Sequence, residues 1–452
     1  MALQFIFGSS GSGKSHSLYQ KTVEEAAANP EKTYIVLVPE QFSMQTQQEL
    51  VKASPEHAIM NIDVLSFGRL AYRVLEETGG KERIVLDDEG KNLILRKIAG
   101  DYEDELTVLK GNLKRQGYIS EVKSVISEFT QYDIGEEELE RMMEQAGEGT
   151  SLFYKLSDLK KVYEGFYAYL EEKYITREEI LDLLCQQVPD SRMLRGSILV
   201  LDGFTGFTPV QNRLLEQLLG VCEEIRAAVT IPKEENPYLY QGPYQLFSLS
   251  KEMTTKLLAI CRERRIPVKD PIWMEGDVPY RFRENEPMAF LEKHLFRYRK
   301  AQYRQQQDRI QICHAATPEK EVEAAARKIR FLVRRNGWRY RDFAVIVPDL
   351  SAYSDDIRTV FSEYGIPVFM DQKRSVLLNP FVEYVRSVTA MIQKGFTYES
   401  VFRFLRTGLC GFSASEVDTM ENYVLALGIR GYKKWQSAWI RKSKGMSEEE
   451  LA

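Results

Sequence analysis

Eight residues near the start of the chain constrain it more than any others. Gly8-Ser9-Ser10-Gly11-Ser12-Gly13-Lys14-Ser15 fits the pattern G-x-x-x-x-G-K-[ST] in full, and its setting is the one the pattern needs. Leu3 to Phe7 is a short apolar run that stops at a glycine and reads as a buried strand. A polar, helix-compatible stretch follows from His16 to Ala28. Gly8, Gly11 and Gly13 let the backbone wrap a phosphate without Cβ clashes. Consecutive N–H groups and the helix N-terminus supply positive potential. Lys14 adds a point charge for the β- and γ-phosphates, and the Ser15 hydroxyl reaches Mg²⁺. A glycine–serine linker matches such a pattern by chance, but not between a strand and a helix. All eight residues are candidate nucleotide ligands, with ATP and Mg²⁺ as the expected cofactors.

Further buried strands are expected at Tyr34 to Val38, Ile59 to Leu65, Ile198 to Leu201 and Ala227 to Ile231, with helical patterns between them. Strands alternating with helices imply a parallel α/β sheet covered on both faces. Residues 1–85 and 196–235 form this first, discontinuous domain. Residues 86–195, rich in Glu, Lys, Leu and Tyr at helical spacing, read as an inserted helical domain. Residues 236–305 read as a loop-rich, proline-punctuated connection. A second α/β pattern is expected over 306–452, with strands at Arg309 to Cys313, Phe343 to Val347 and Ile366 to Phe369 and an amphipathic helix from Glu319 to Asn336. Ser447 to Glu450 writes a helix start two residues before the sequence stops, so the chain is expected to be a piece of a longer protein.

A phosphate loop needs a second group to hold its metal. The run Ile198-Leu-Val-Leu201 ends in Asp202, the Walker B arrangement, so Ser15 and Asp202 are the candidate Mg²⁺ ligands; otherwise Asp202 is a plain helix cap. In hydrolytic relatives of this motif a glutamate follows and polarises water. Gly203 stands there, so no catalytic residue is assigned, and nucleotide binding is better supported than hydrolysis. Gln41 is a candidate nucleotide or DNA contact, or a polar cap.

Composition narrows the remaining options. A net charge of −5 excludes a chain that is basic as a whole, so nucleic-acid contact must come from local basic surface. The five cysteines share no CxxC spacing, which argues against a disulfide framework or a zinc site. The four histidines have no metal-ligand spacing either. A start without a basic segment and the lack of any apolar run of about 18 residues point to a cytoplasmic chain with no membrane partner.

With the order of elements in view, the chain resembles a superfamily 1 helicase fold of the UvrD/PcrA type with a worn motor. Val38-Pro39-Glu40-Gln41, Leu65-Ser66-Phe67-Gly68-Arg69-Leu70 and Leu201-Asp202-Gly203-Phe204 are phrases similar to those of the AddB (RexB) family, one of the two chains of the AddAB helicase/nuclease. The resemblance covers about residues 1–435. It implies two RecA-like domains, the second truncated here, and a heterodimer with AddA, which supplies the active helicase. It implies repair of double-strand breaks by homologous recombination, in which the AddB chain is an inactivated motor scanning single-stranded DNA for the Chi signal. It also implies a nuclease domain and an iron–sulfur cluster in a C-terminal part beyond this sequence. Ser66, Phe67 and Arg69 sit where such helicases touch DNA. Single- and double-stranded DNA are therefore the expected partners.

Lys293 to Arg309 interleaves cations with tyrosines, as a single-strand path requires. Arg297, Arg299 and Arg304 are its candidate contacts, though such runs are more often solvated faces. A second basic cluster spans Lys328 to Arg341. The alternatives to a DNA-binding, helicase-like chain are an active P-loop ATPase or motor working on a non-DNA substrate, and a scaffold with a relict phosphate loop.

Overall fold

The computed structural model describes residues 1–79, 84–112, 116–170, 174–176, 178–274, 276, 278–297, 301–372 and 376–442. They divide into two compact units, Met1–Gln311 and Ile312–Ala452.

The first unit opens with β1 (Leu3–Gly8), α1 (Lys14–Ala28), β2 (Tyr34–Leu37), α2 (Ser43–Ala53), β3 (Ile62–Leu65) and α3 (Phe67–Thr78). A helical region follows: β4 (Ile84–Val85), α4 (Asp88–Asp101), α5 (Gln116–Gln131), α6 (Glu136–Ala146), α7 (Ser151–Leu170) and β5 (Tyr174–Ile175). The chain then returns through α8 (Ile180–Gln187), β6 (Ile198–Leu201), α9 (Pro209–Leu219), β7 (Glu224–Thr230), α10 (Ser248–Glu263), β8 (Ile272–Trp273) and α11 (Glu286–His294).

Six strands form one sheet in the order β3-β2-β6-β7-β1-β8. Every pairing in it is parallel, with Leu3 opposite Ile225 and Leu37 opposite both Leu65 and Leu201. Such strands are apolar on both faces because helices cover both. Phe5, Phe7, Ile35, Leu37, Leu199, Ala227 and Val229 pack against α3, α8, α9 and α10. Ile6, Val36, Ile198, Val200 and Ala228 face the other way, onto Leu18, Tyr19 and Val23 of α1 and Leu50 of α2.

The helical region has a core of its own, built from Leu95, Leu109, Ile119, Leu139, Val162 and Phe166. Its two ends meet in a small parallel pair, Ile84 with Tyr174 and Val85 with Ile175. Inside it, Asp158 accepts the backbone N–H groups of Thr107, Val108 and Leu109. Helix α8 is different: Ile180 and Leu184 belong to the core of the main sheet.

The proline-rich stretch after β7 is more ordered than its composition suggests. Between Pro243 and Pro267 it holds α10, whose Met253, Leu257 and Cys261 recur every four residues on the buried face. Beyond it, β8 adds a sixth strand beside β1.

The second unit contains α12 (Pro318–Asn336), α13 (Leu350–Glu363), α14 (Pro380–Gln393), α15 (Tyr398–Leu405), α16 (Ala414–Leu427) and α17 (Tyr432–Gln436). Its described residues include no strand. The strands expected at 309–313, 343–347 and 366–369 are not formed. An apolar run marks a face, but a strand also needs a hydrogen-bonded neighbour, and among the described residues none of these segments has one. Ile312, Ile346 and Phe369 are accordingly exposed. The helix start expected at Ser447 to Glu450 lies outside the described residues. Among the described residues, no helix is long and apolar enough to cross a membrane.

Candidate nucleotide-binding site

The loop Gly8–Ser15 joins the C-terminal end of β1 to the first turn of α1. Gly11 has φ +74°, and a Cβ on it would lie 2.9 Å from Cβ of Arg281. Only glycine permits that approach. The chain after β8 runs back over the loop: the Met274 N–H donates to Phe7 O (2.8 Å) and the Arg281 N–H to Gly11 O (3.0 Å). Arg281 thereby brings a second cation to the phosphate loop.

Lys14 is buried, and its ammonium donates to the carbonyls of Gly8 and Ser9, both at 2.9 Å. Burial pushes its pKa down to about 8; Asp202 and Glu292 pull it up, and Arg281 presses it further down. An arriving phosphate would offset that desolvation. Ser12 Oγ is buried in the loop without a hydrogen-bond partner among the described residues. A phosphate oxygen would supply the acceptor it lacks, so the chemistry of the cradle suits a phosphate group.

Asp202 follows β6 at the same edge of the sheet and is 7 % exposed. Strands β6 and β1 are separated by β7, which sets a lateral spacing of roughly 10 Å. The Tyr19 hydroxyl donates to Asp202 Oδ2 at 2.6 Å and lies 3.4 Å from Thr46 Oγ1. Burial, then the Asp202 charge, pushes the Tyr19 phenol far above its ordinary pKa, so it stays a donor at any working pH. Among the described residues no three His, Cys, Asp or Glu side chains cluster as a metal cage. Mg²⁺ beside a nucleotide does not need one, because phosphates and waters fill most of its octahedron. One hydroxyl (Ser15) and one carboxylate (Asp202) suit that role.

Gly203 takes φ +77°, and a Cβ there would meet Pro39 Cδ at 3.4 Å and the Phe42 ring at 3.5 Å. Phe204 follows, its ring 5.3 Å from Phe67 and 5.1 Å from Phe207. From Gly8 and Ser9 a cavity of about 950 Å³ opens toward Tyr244, Lys251, Trp273, Phe296 and Arg297.

A family model described as ADDB, N-terminal, matches residues 5–292. The chain belongs to the AddB family. The B subunit of an ATP-dependent helicase/deoxyribonuclease of Lachnoclostridium phytofermentans is 41 % identical over 454 residues, spanning 100 % of this chain and 40 % of its own length. The B subunit of the Desulforamulus reducens helicase/deoxyribonuclease is 37 % identical over 441 residues (96 % and 38 %). That of Clostridium perfringens strain 13 is 33 % identical over 455 residues (100 % and 39 %). The chain thus spans about 40 % of the length of the curated relatives it matches.

In this AddB-family chain, the residues singled out from sequence for DNA take different positions. Ser66 caps α3, its hydroxyl accepting the Arg69 N–H at 3.4 Å. Phe67 lies in the core of the sheet, and only Arg69 of the three faces solvent. Gln41 is exposed on the turn after β2. That turn neighbours Gly203 rather than the phosphate loop, which lies three strands away. Arg297 lies 4.8 Å over the Phe247 ring at the cavity, Arg304 is exposed, and Arg299 lies outside the described residues. Sequence reading missed Arg281 and Tyr19. A tyrosine in the buried stripe of α1 was the available signal, because a buried phenol needs an acceptor.

Proposed function

We propose that this chain is the nucleotide-binding, RecA-like N-terminal part of an inactivated motor. In this reading it binds ATP and Mg²⁺ through Gly8–Ser15 and Asp202, with little or no hydrolysis of its own. The observation that carries the reading is the contrast between a complete phosphate loop and a turn in which Gly203, at φ +77°, follows Asp202. Lys14, Arg281 and the orphaned Ser12 hydroxyl would hold the phosphates, while Ser15 and Asp202 would hold the metal. Mg²⁺, when bound, supplies charge neutralisation at the phosphates.

The relatives' names, each the B subunit of an ATP-dependent helicase/deoxyribonuclease, support placing the whole protein in an ATP-dependent complex that acts on DNA. We read it as a heterodimer with AddA that resects double-strand breaks for homologous recombination. In that complex the present chain binds single-stranded DNA and scans it for a recombination signal. Exposed Arg69 and Arg304, with Arg297 at the aromatic cavity, are its proposed contacts. The nuclease domain and an iron–sulfur cluster would belong to the remainder of the full-length protein.

The experiment is a titration of the chain with a fluorescent ATP analogue, plus a turnover assay with and without single-stranded DNA. Binding with turnover at background is the expected result. Fast, DNA-stimulated turnover would show that another carboxylate positions water. Fast turnover indifferent to DNA would favour a motor of another class.

A further inference from the structure

Asp202 is a buried carboxylate whose hydrogen-bond donor comes from a distant part of the chain. Tyr19 is on the second turn of α1, 183 residues earlier, and is 4 % exposed. Its hydroxyl sits between Asp202 Oδ2 at 2.6 Å and Thr46 Oγ1 on α2 at 3.4 Å. Three elements therefore meet at the Tyr19 hydroxyl, beside the carboxylate that the phosphate-loop reading assigns to Mg²⁺.

We infer that the Tyr19 hydroxyl is a built-in substitute for the divalent cation: it satisfies Asp202 when no metal is bound and competes with the metal for Oδ2. The inference rests on the reading of this site as a Mg²⁺–ATP site and deepens it. A buried carboxylate without a partner is strongly destabilising. In a site that depends wholly on its metal, loss of the cation leaves such a charge exposed to that cost. Here a neutral donor meets it instead. The metal-free site stays assembled, and Mg²⁺ must displace or share a short hydrogen bond in order to bind. Tyr19 is thus a positioning residue that weakens the coupling between metal and nucleotide.

The test is the Mg²⁺ dependence of binding of a fluorescent ATP analogue, in the wild-type chain and in Tyr19→Phe. The variant keeps the ring between α1 and α2 and removes only the hydroxyl. Its half-saturating Mg²⁺ concentration should fall roughly tenfold, the size of a hydrogen bond to a charged group. Its nucleotide affinity in EDTA should fall relative to wild type. An unchanged or raised Mg²⁺ requirement overturns the proposal. If the wild-type chain binds no nucleotide at any Mg²⁺ concentration, the site reading itself has failed, which is a different result.

A second measurement does not depend on the variant folding. With 3-fluorotyrosine placed at position 19, the ¹⁹F resonance should move when Mg²⁺ is added to the nucleotide complex, and should stay still in Asp202→Asn. A resonance in the otherwise wild-type chain that ignores Mg²⁺ refutes the substitution of hydroxyl for cation.

Discussion

Under the proposed function, two strand ends of one sheet would hold different halves of a chemistry. At the end of β1 the loop keeps its glycines, the buried Lys14 and a hydroxyl waiting for an acceptor. At the end of β6 the turn keeps Asp202, but its next residue has no side chain and lies at φ +77°. The two halves thus depend unequally on the main chain. Phosphate binding needs N–H groups and one cation, which the loop supplies by itself. Water activation needs a carboxylate at one backbone position. Gly203, which stands next after Asp202, takes a φ of +77° that L-residues rarely adopt, with Pro39 and Phe42 at ordinary contact distance from where a Cβ would lie. In the proposed reading, the backbone as well as the missing side chain would oppose hydrolysis.

Lys14→Ala puts the heaviest load on this contrast. Removing a buried cation that would meet phosphate should weaken ATP binding about a hundredfold or more, read by the same fluorescent titration. Gly203→Glu comes next. If the turn itself is inactive, the variant gains no turnover and loses about 1–2 kcal/mol of stability from strain, a melting temperature lower by about 2–3 °C. Appearance of turnover would mean that only the side chain was missing. Arg281→Ala should weaken nucleotide binding several-fold, less than Lys14→Ala, because Arg281 is solvent-exposed and screened.

Glu224→Gln is the control. Glu224 begins β7, the strand between the two ends, and pairs with Arg226 and Lys269 far from either loop. Burial alone would raise its pKa, but hydrogen bonds from Arg226 and Lys269 outweigh burial and hold it low. A depressed carboxylate contributes stability above its unfolded pKa of about 4.3 and loses that contribution as pH falls through its folded value. The variant should therefore melt a few degrees lower at pH 7. The gap should start to narrow only as pH falls below the unfolded value of about 4.3, and ATP affinity should not change.

What could be read from the sequence divides along the same physical line. The loop's strand–loop–helix setting and the strand ending at Asp202 are local patterns, and local patterns are visible in one dimension. Tyr19 and Arg281 reach the site through contacts far apart in the chain, and no spacing announces these. Helix α10 was hidden because flanking prolines suggested loop, while the spacing of Met253, Leu257 and Cys261 already gave its period. Phe343 to Val347 shows the converse. Its apolar run looked like a strand, but a strand is defined by its neighbour, and the run itself does not say where a neighbour lies. Ser66 and Phe67 were assigned to DNA by resemblance, and the fold gives them a cap and a core position.

The small β4–β5 pair governs how such a chain can change. Four residues pin both ends of the helical region side by side before the chain re-enters the sheet at α8 and β6. With the ends fixed, the entropy of closing the segment rises only logarithmically with its length. The clip holds the two ends of the region together, and the length of chain behind it can change at little cost in closure entropy.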